Sequence, residues 1–200
     1  MGPEGQAGSR TDCLAGQEYL TGQTVSSPRK NLLLTGPPGI GKTTVIVRLA
    51  RLIAGRRIAG FHTEEILACG LRRGFRVTTL SGQTGVLAEV GVSSRYRVGR
   101  YGVHVAGFEA LVLPELKRTA DVILIDEIGK MECFSRPFVE TVRHLLSGPT
   151  PVIATVAMKG AGFIAEVKEL PNSELLHLTT QNREEFPQRL AEVLRSLLSS

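Results

Sequence analysis

From Asn31 onward the chain alternates between short, uniformly apolar runs and stretches with helical spacing. Leu32-Leu33-Leu34 is apolar throughout, the pattern of a strand buried on both faces. After a Gly/Pro turn, Val45, Ile46, Leu49 and Ile53 share one helical face and predict a helix from about Lys42. Gly60 to Thr63, Phe75 to Leu80 and Val86 to Val90 read as strands, with residues 81–85 as a glycine turn, and together predict an inserted antiparallel β-ribbon. A helix is expected from about Gly107 to Arg118, then a strand at Val122 to Ile125. A helix within Arg136 to Leu146, a strand at Val152 to Thr155, a helix around Gly162 to Leu170 and a strand at Leu175 to Leu178 follow. Asn182, with Glu185 three residues on, fits the N-cap of a last helix striped by Phe186, Leu190, Val193, Leu194 and Leu197. Apolar strands alternating with amphipathic helices predict a mainly parallel sheet covered on both faces, a three-layer α/β architecture.

Residues 1–29 show neither period. They are rich in Gly, Gln, Ser and Thr and are expected to form a flexible extension, leaving 30–200 as one domain. No apolar run approaches the roughly 20 residues that span a bilayer, and the start lacks a basic segment followed by an apolar one, so neither a membrane partner nor secretion is expected. The three cysteines, Cys13, Cys69 and Cys133, are odd in number and widely spaced, which fits free thiols in a reducing cytoplasm. His62, His104 and His144 lack metal-ligand spacing. The formal net charge of +5 suits a polyanionic ligand without saying which one.

Two segments change that picture. Gly36-Pro37-Pro38-Gly39-Ile40-Gly41-Lys42-Thr43 matches G-x-x-x-x-G-K-[ST] at every fixed position and lies between a predicted strand and a predicted helix. Glycines let such a loop wrap phosphates with its amides, the helix start adds a positive dipole end, Lys42 reaches the β- and γ-phosphates and Thr43 joins the shell of a Mg²⁺ ion. Downstream, Val122-Ile123-Leu124-Ile125 ends in Asp126 and Glu127. In open α/β sheets ligands sit beyond the carboxyl ends of the strands, so Asp126 is placed to hold Mg²⁺, usually through water, and Glu127 to deprotonate an attacking water. Lys42, Asp126 and Glu127 are therefore the candidate catalytic residues.

The segments GPPGIGKTT (36–44), GFHTEE (60–65), GFRV (74–77) and DEIGKME (126–132), in this order, resemble the thermostable-type nucleoside-triphosphatase family, whose vertebrate branch is the cancer-related nucleoside-triphosphatases. The resemblance runs from about Asn31 to Leu198. It implies a RecA-like P-loop domain that hydrolyses ATP, GTP and other nucleoside triphosphates to the diphosphate with little base selectivity. Its nucleotide contacts would be the loop from Gly36 through Thr43, with Thr44 beside it, and the strand end near 122–129. The family usually carries leucine where Cys133 stands and a proline soon after the strand at Val152 to Thr155, where this chain reads Val156-Ala157-Met158.

Further candidates stand beside plainer readings. Glu64 and Glu65 follow a strand that should end near the site, and serve either to place water or Mg²⁺ or as surface charge. Lys130 either neutralises charge on the γ-phosphate or is a solvated lysine. Arg183, at the start of the last helix, is a candidate contact to base or phosphate. Two other activities compete with hydrolysis. A nucleotide or small-molecule kinase would need an arginine-rich lid, whereas the arginines here lie before the acidic strand. A nucleotide-switched module binding RNA or a partner would use that basic half, but only Phe75, Tyr96 and Tyr101 are near for stacking and no RNA-binding signature is present, so nucleic acid is not favoured.

Overall fold

The uniformly apolar runs form the centre of one nine-stranded sheet in a computed structural model that describes residues 29–199. The expected extension lies outside the described residues except for Arg29, whose Nη1 donates to the Ser173 carbonyl over 3.0 Å. Five strands are parallel: β1 (Asn31–Thr35), β2 (Ile58–Ala68), β7 (Val122–Ile128), β8 (Val152–Val156) and β9 (Ser173–His177), in the spatial order β2-β7-β8-β1-β9. Beyond β2 the sheet continues antiparallel through β3 (Leu71–Thr79), β4 (Thr84–Val90), β6 (Tyr101–Val103) and β5 (Arg97–Val98). The expected ribbon is thus part of the same sheet. β5 and β6 have no counterpart in the sequence pattern, because two or three residues are too few to show a period.

Alternation along the strands builds two cores from one sheet. Leu32, Leu34, Val122, Leu124, Ile153 and Leu176 face α1 (Lys42–Leu52) and α5 (Phe186–Leu197). Leu33, Ile123, Ile125, Val152 and Ala154 face the other way, onto α2 (Val105–Leu116) and α3 (Arg136–Ser147). The short α4 (Phe163–Glu166) adds Phe163 and Ile164 to that second layer. This is the three-layer α/β arrangement. Under β2, the rings of Phe61, Phe108 and Phe138 meet edge to face at 5.3–5.9 Å and join sheet, α2 and α3. Truncating one such ring typically costs about 3–5 kcal/mol.

Local chemistry sets where the elements begin. Ser135 caps α3: its hydroxyl accepts from the Phe138 N–H at 3.0 Å and donates to Glu109 at 2.7 Å. Gly60, at φ 133°, lets β2 lie flush on β7, since a Cβ there would stand 1.7 Å from the Leu124 carbonyl oxygen. Asn182 does not cap α5, which starts at Phe186. Its carboxamide instead closes the preceding loop, accepting from the Thr179 N–H at 2.8 Å and donating to the His177 carbonyl at 3.0 Å. The strand expected to stop at Ile125 runs on to Ile128, with a register shift against β8 between those two residues.

Candidate active site

All five parallel strands end on one side of the sheet, and the candidate residues gather there. β1 leads through Gly36 into the loop, and α1 begins at Lys42 behind Gly41, whose φ of 110° is the left-handed turn a side chain would resist. No side chain caps α1 and no acidic residue sits in its first turn, so its first amides and dipole end stay directed at the loop. Lys42 Nζ bridges the loop by donating to the carbonyls of Gly36 at 3.1 Å and Pro37 at 3.4 Å. An ammonium has three protons, so one remains for a phosphate oxygen. Gly36 is buried against the Leu178 carbonyl, while Pro37, Pro38 and Gly39 are exposed, Ile40 packs on the α1–α5 core, Thr43 is half-buried and Thr44 exposed.

Only β8 separates β1 from β7, so the strand carrying the carboxylates is roughly 10 Å from the one feeding the loop. Asp126 is 1% exposed, yet both its oxygens are partnered. Oδ1 accepts from the Thr155 hydroxyl of β8 at 2.8 Å; Oδ2 accepts from the Thr63 amide at 3.3 Å and hydroxyl at 3.4 Å on β2. These neutral donors orient the carboxyl group between two strands without supplying a counter-charge. Beside it, burial pushes the Glu127 carboxyl above its ordinary pKa, the Lys42 ammonium draws it back down, and the Asp126 carboxylate adds to the rise. Lys42, Asp126 and Glu127 thus share one electrostatic neighbourhood. Glu132 completes the acidic group. It is fully buried and its carboxyl is pushed up to about 8, first by burial and further by Glu127 and Asp126, against hydrogen bonds from its own amide and that of Gly129.

The NTPase family profile matches residues 31–191. Nucleoside-triphosphatase THEP1 of Thermotoga sp. (strain RQ2) is 38% identical over 167 residues, covering 82% of this chain and 95% of that protein. The human cancer-related nucleoside-triphosphatase is 39% identical over 173 residues, 77% of this chain and 90% of its own length. The crystal structure of THEP1 from Aquifex aeolicus superposes with a TM-score of 0.74 at 36% identity, covering 82% of this chain and 98% of that one. The solution structure of a human cancer-related nucleoside triphosphatase gives 0.71 at 35% identity, covering 83% and 98%.

The chain belongs to the NTPase family.

Its sheet and helices are accordingly a P-loop NTPase fold, with the phosphate-loop segment following β1 and the Asp126-Glu127 pair near the end of β7. The remaining candidates scatter around that centre. Glu64 is exposed and lies 3.5 Å from His62 Nε2, and Glu65 pairs with Arg72 across the ribbon. Lys130 is exposed just past β7. Arg183 is exposed on the loop after β9, 3.5 Å from Glu184, which also binds Arg48 at 2.7 Å. That loop passes Gly36 through Leu178, so the segment carrying Arg183 leaves from beside the phosphate loop. In the basic ribbon, Arg72, Arg95 and Arg100 lie over Phe75, Tyr96 and Tyr101 at 4.7–5.6 Å, so arginines already cover the rings that base stacking would use. Two surface clefts of about 650 and 790 Å³, one between α2 and α3 and one beside Tyr96, include no residue of the phosphate loop.

A threonine hydroxyl and a carboxylate, as Thr43 and Asp126 offer, are oxygen donors of the kind that hard dications take. Three residues of this arrangement escape a reading of the motifs alone. Thr63 and Thr155 carry only the weak signal of a hydroxyl at the carboxyl end of an apolar strand, and Glu132 is hidden as the last acid of DEIGKME. Among the described residues no helix is long and apolar enough to cross a membrane.

Proposed function

We propose that this chain hydrolyses the β–γ phosphoanhydride bond of nucleoside triphosphates, ATP and GTP included, in a Mg²⁺-dependent reaction that releases the diphosphate and inorganic phosphate. The observation that carries this reading is the shared neighbourhood of Lys42, Asp126 and Glu127 across the single intervening strand β8. Thr43 and Asp126 would hold the metal, which would supply charge neutralisation on the β- and γ-phosphates.

The protein's own groups do the rest. The amides at the start of α1 and the third proton of Lys42 bind the phosphate chain and stabilise negative charge as the bridging oxygen departs with the diphosphate. Glu127 accepts a proton from water as its oxygen attacks the γ-phosphorus. A carboxylate half sheltered from solvent and raised in pKa is a stronger base than an exposed one. Broad base tolerance follows because the loop engages phosphates, which ATP, GTP, CTP and UTP share. The free thiols of Cys69 and Cys133 fit a cytoplasmic setting.

The test is phosphate release from ATP, GTP, CTP and UTP, with Mg²⁺ and with chelator, run beside γ-labelled ATP and candidate acceptors. Release from all four that stops with chelator supports the reading. Label appearing on an acceptor instead of in free phosphate turns the enzyme into a kinase.

A further inference from the structure

Glu132 is an acid where the fold gives no reason for one. It is 5% exposed and, among the described residues, joins no ion pair with lysine, arginine or histidine. Ser135, not Glu132, caps the helix that follows. A buried carboxyl without a cation is expensive, and an amide or apolar side chain would close the same turn at lower cost.

Its position explains the choice. The carboxyl of Glu132 accepts from the Gly129 amide, and the Cys133 amide returns to the Gly129 carbonyl at 3.0 Å, so the turn leaving β7 is stitched twice at Gly129. Gly129 has only hydrogen where a side chain would stand. A Cβ there would meet Glu132 Oε2 at 2.8 Å and Glu127 Oε1 at 3.5 Å. Glu132 and Glu127 therefore share the space over one glycine, at the point where the chain turns away from the phosphate site.

We propose that Glu132 is a positioning residue for hydrolysis: by gripping the Gly129 turn from within, its carboxyl holds the adjoining Glu127 side chain in its working orientation, and Gly129 is glycine so that the two can meet. The proposal rests on the role assigned above to Glu127. Burial keeps a proton on Glu132, so the two groups lie close without like-charge repulsion.

The experiment compares E132A, E132Q, G129A, the double variant G129A/E132A and E127Q by steady-state hydrolysis, equilibrium binding of a fluorescent nucleotide and thermal melting. E132A is expected to lower kcat about 10- to 100-fold, the usual effect of misplacing a reacting group, with KM and nucleotide affinity nearly unchanged. E132Q, which still accepts from the Gly129 amide, is expected to restore kcat to within about threefold of the parent. G129A is expected to lower kcat as E132A does, and the double variant to be no slower than the slower single, because removing the Glu132 carboxyl frees the space the new methyl needs.

Normal kcat in E132A, losses in kcat and affinity that move together, or multiplying losses in the double variant overturn the proposal. So does an E132Q as slow as E132A. If E132A fails to fold, E132Q and G129A decide: a folded, tight-binding but slow G129A beside an active E132Q supports positioning, and a fully active G129A ends it. E127Q separates the two levels. Full turnover by E127Q defeats the role of Glu127 itself, whereas a dead E127Q with a fully active E132A defeats only the positioning role.

Discussion

Thr155 Oγ1 donates to Asp126 Oδ1 over 2.8 Å, from the one strand that stands between the phosphate loop and the acidic strand. The bond ties the expected metal-holding carboxylate to β8, whose Val156 carbonyl also accepts from the Thr35 hydroxyl at the root of the loop, at 3.1 Å. Loop and carboxylate are thus referenced to the same strand.

Thr155→Val, nearly isosteric, removes the donor and leaves Asp126 Oδ1 unpartnered in a buried place. A hydrogen bond to a charged group is worth about 1.5–3 kcal/mol, so the variant is expected to lose stability of that order in urea unfolding. The Mg²⁺ concentration for half-maximal hydrolysis should also rise. An unchanged Mg²⁺ dependence would separate Asp126 from the metal.

Glu127→Gln keeps the size of the side chain and removes the base. Turnover is expected to fall about 10²- to 10⁴-fold while nucleotide binding persists. Phosphate release near the parental rate would reassign the base.

Lys42→Ala should act on the other kinetic parameter. Because Lys42 bridges the loop carbonyls of Gly36 and Pro37 and offers its last proton to phosphate, its loss is expected to weaken nucleotide affinity at least about tenfold, a loss of one charge-assisted hydrogen bond. Isothermal titration with a non-hydrolysable triphosphate measures it. Undiminished affinity would remove Lys42 from the binding role.

Glu132 makes stability depend on pH in a stated direction. Its folded-state pKa of about 8 lies above the ordinary 4.5, so between those values the folded protein keeps a proton that the unfolded chain has released. Stability from this group is complete below the lower value and is lost as pH rises toward 8, by up to about 1.4 kcal/mol per pH unit. E132Q lacks that loss, so its melting temperature should gain on the parent's between pH 5 and pH 8. Parallel curves would show that Glu132 ionises normally.

Gly60→Ala places a methyl 1.7 Å from the Leu124 carbonyl oxygen at a φ of 133°. Because backbone and not a flexible side chain is in the way, β2 and β7 must separate, and a loss above about 4 kcal/mol is expected. Denaturant unfolding or the soluble yield of the variant reads it. A loss below about 1 kcal/mol would mean that the sheet yields there.

Much of this enzyme is written in consecutive residues. The phosphate loop is a contiguous string whose glycines and lysine act through their own backbone and neighbours, so its chemistry is legible without a fold. The parallel strands are legible too, because burial on both faces leaves unbroken apolar runs such as Leu32 to Leu34 and Val122 to Ile125. The end of β7 was not: pairing of Ile128 with Val156 carries that strand past both carboxylates, and strand pairing is a relation between distant segments.

The same holds for the residues that complete the site. Nothing near Asp126 in the sequence says that Thr155 and Thr63 will bond it, since those contacts exist only once β8 and β2 lie on either side of β7. The partner of Glu65 is likewise set by the fold, since Arg72 reaches it only across the ribbon formed by β2 and β3. Which residue types could bind a triphosphate was decided locally, by side-chain chemistry and backbone freedom. Which of them meet was decided by sheet order and register, because a buried charge is oriented by whatever partners the packed strands bring within hydrogen-bond reach.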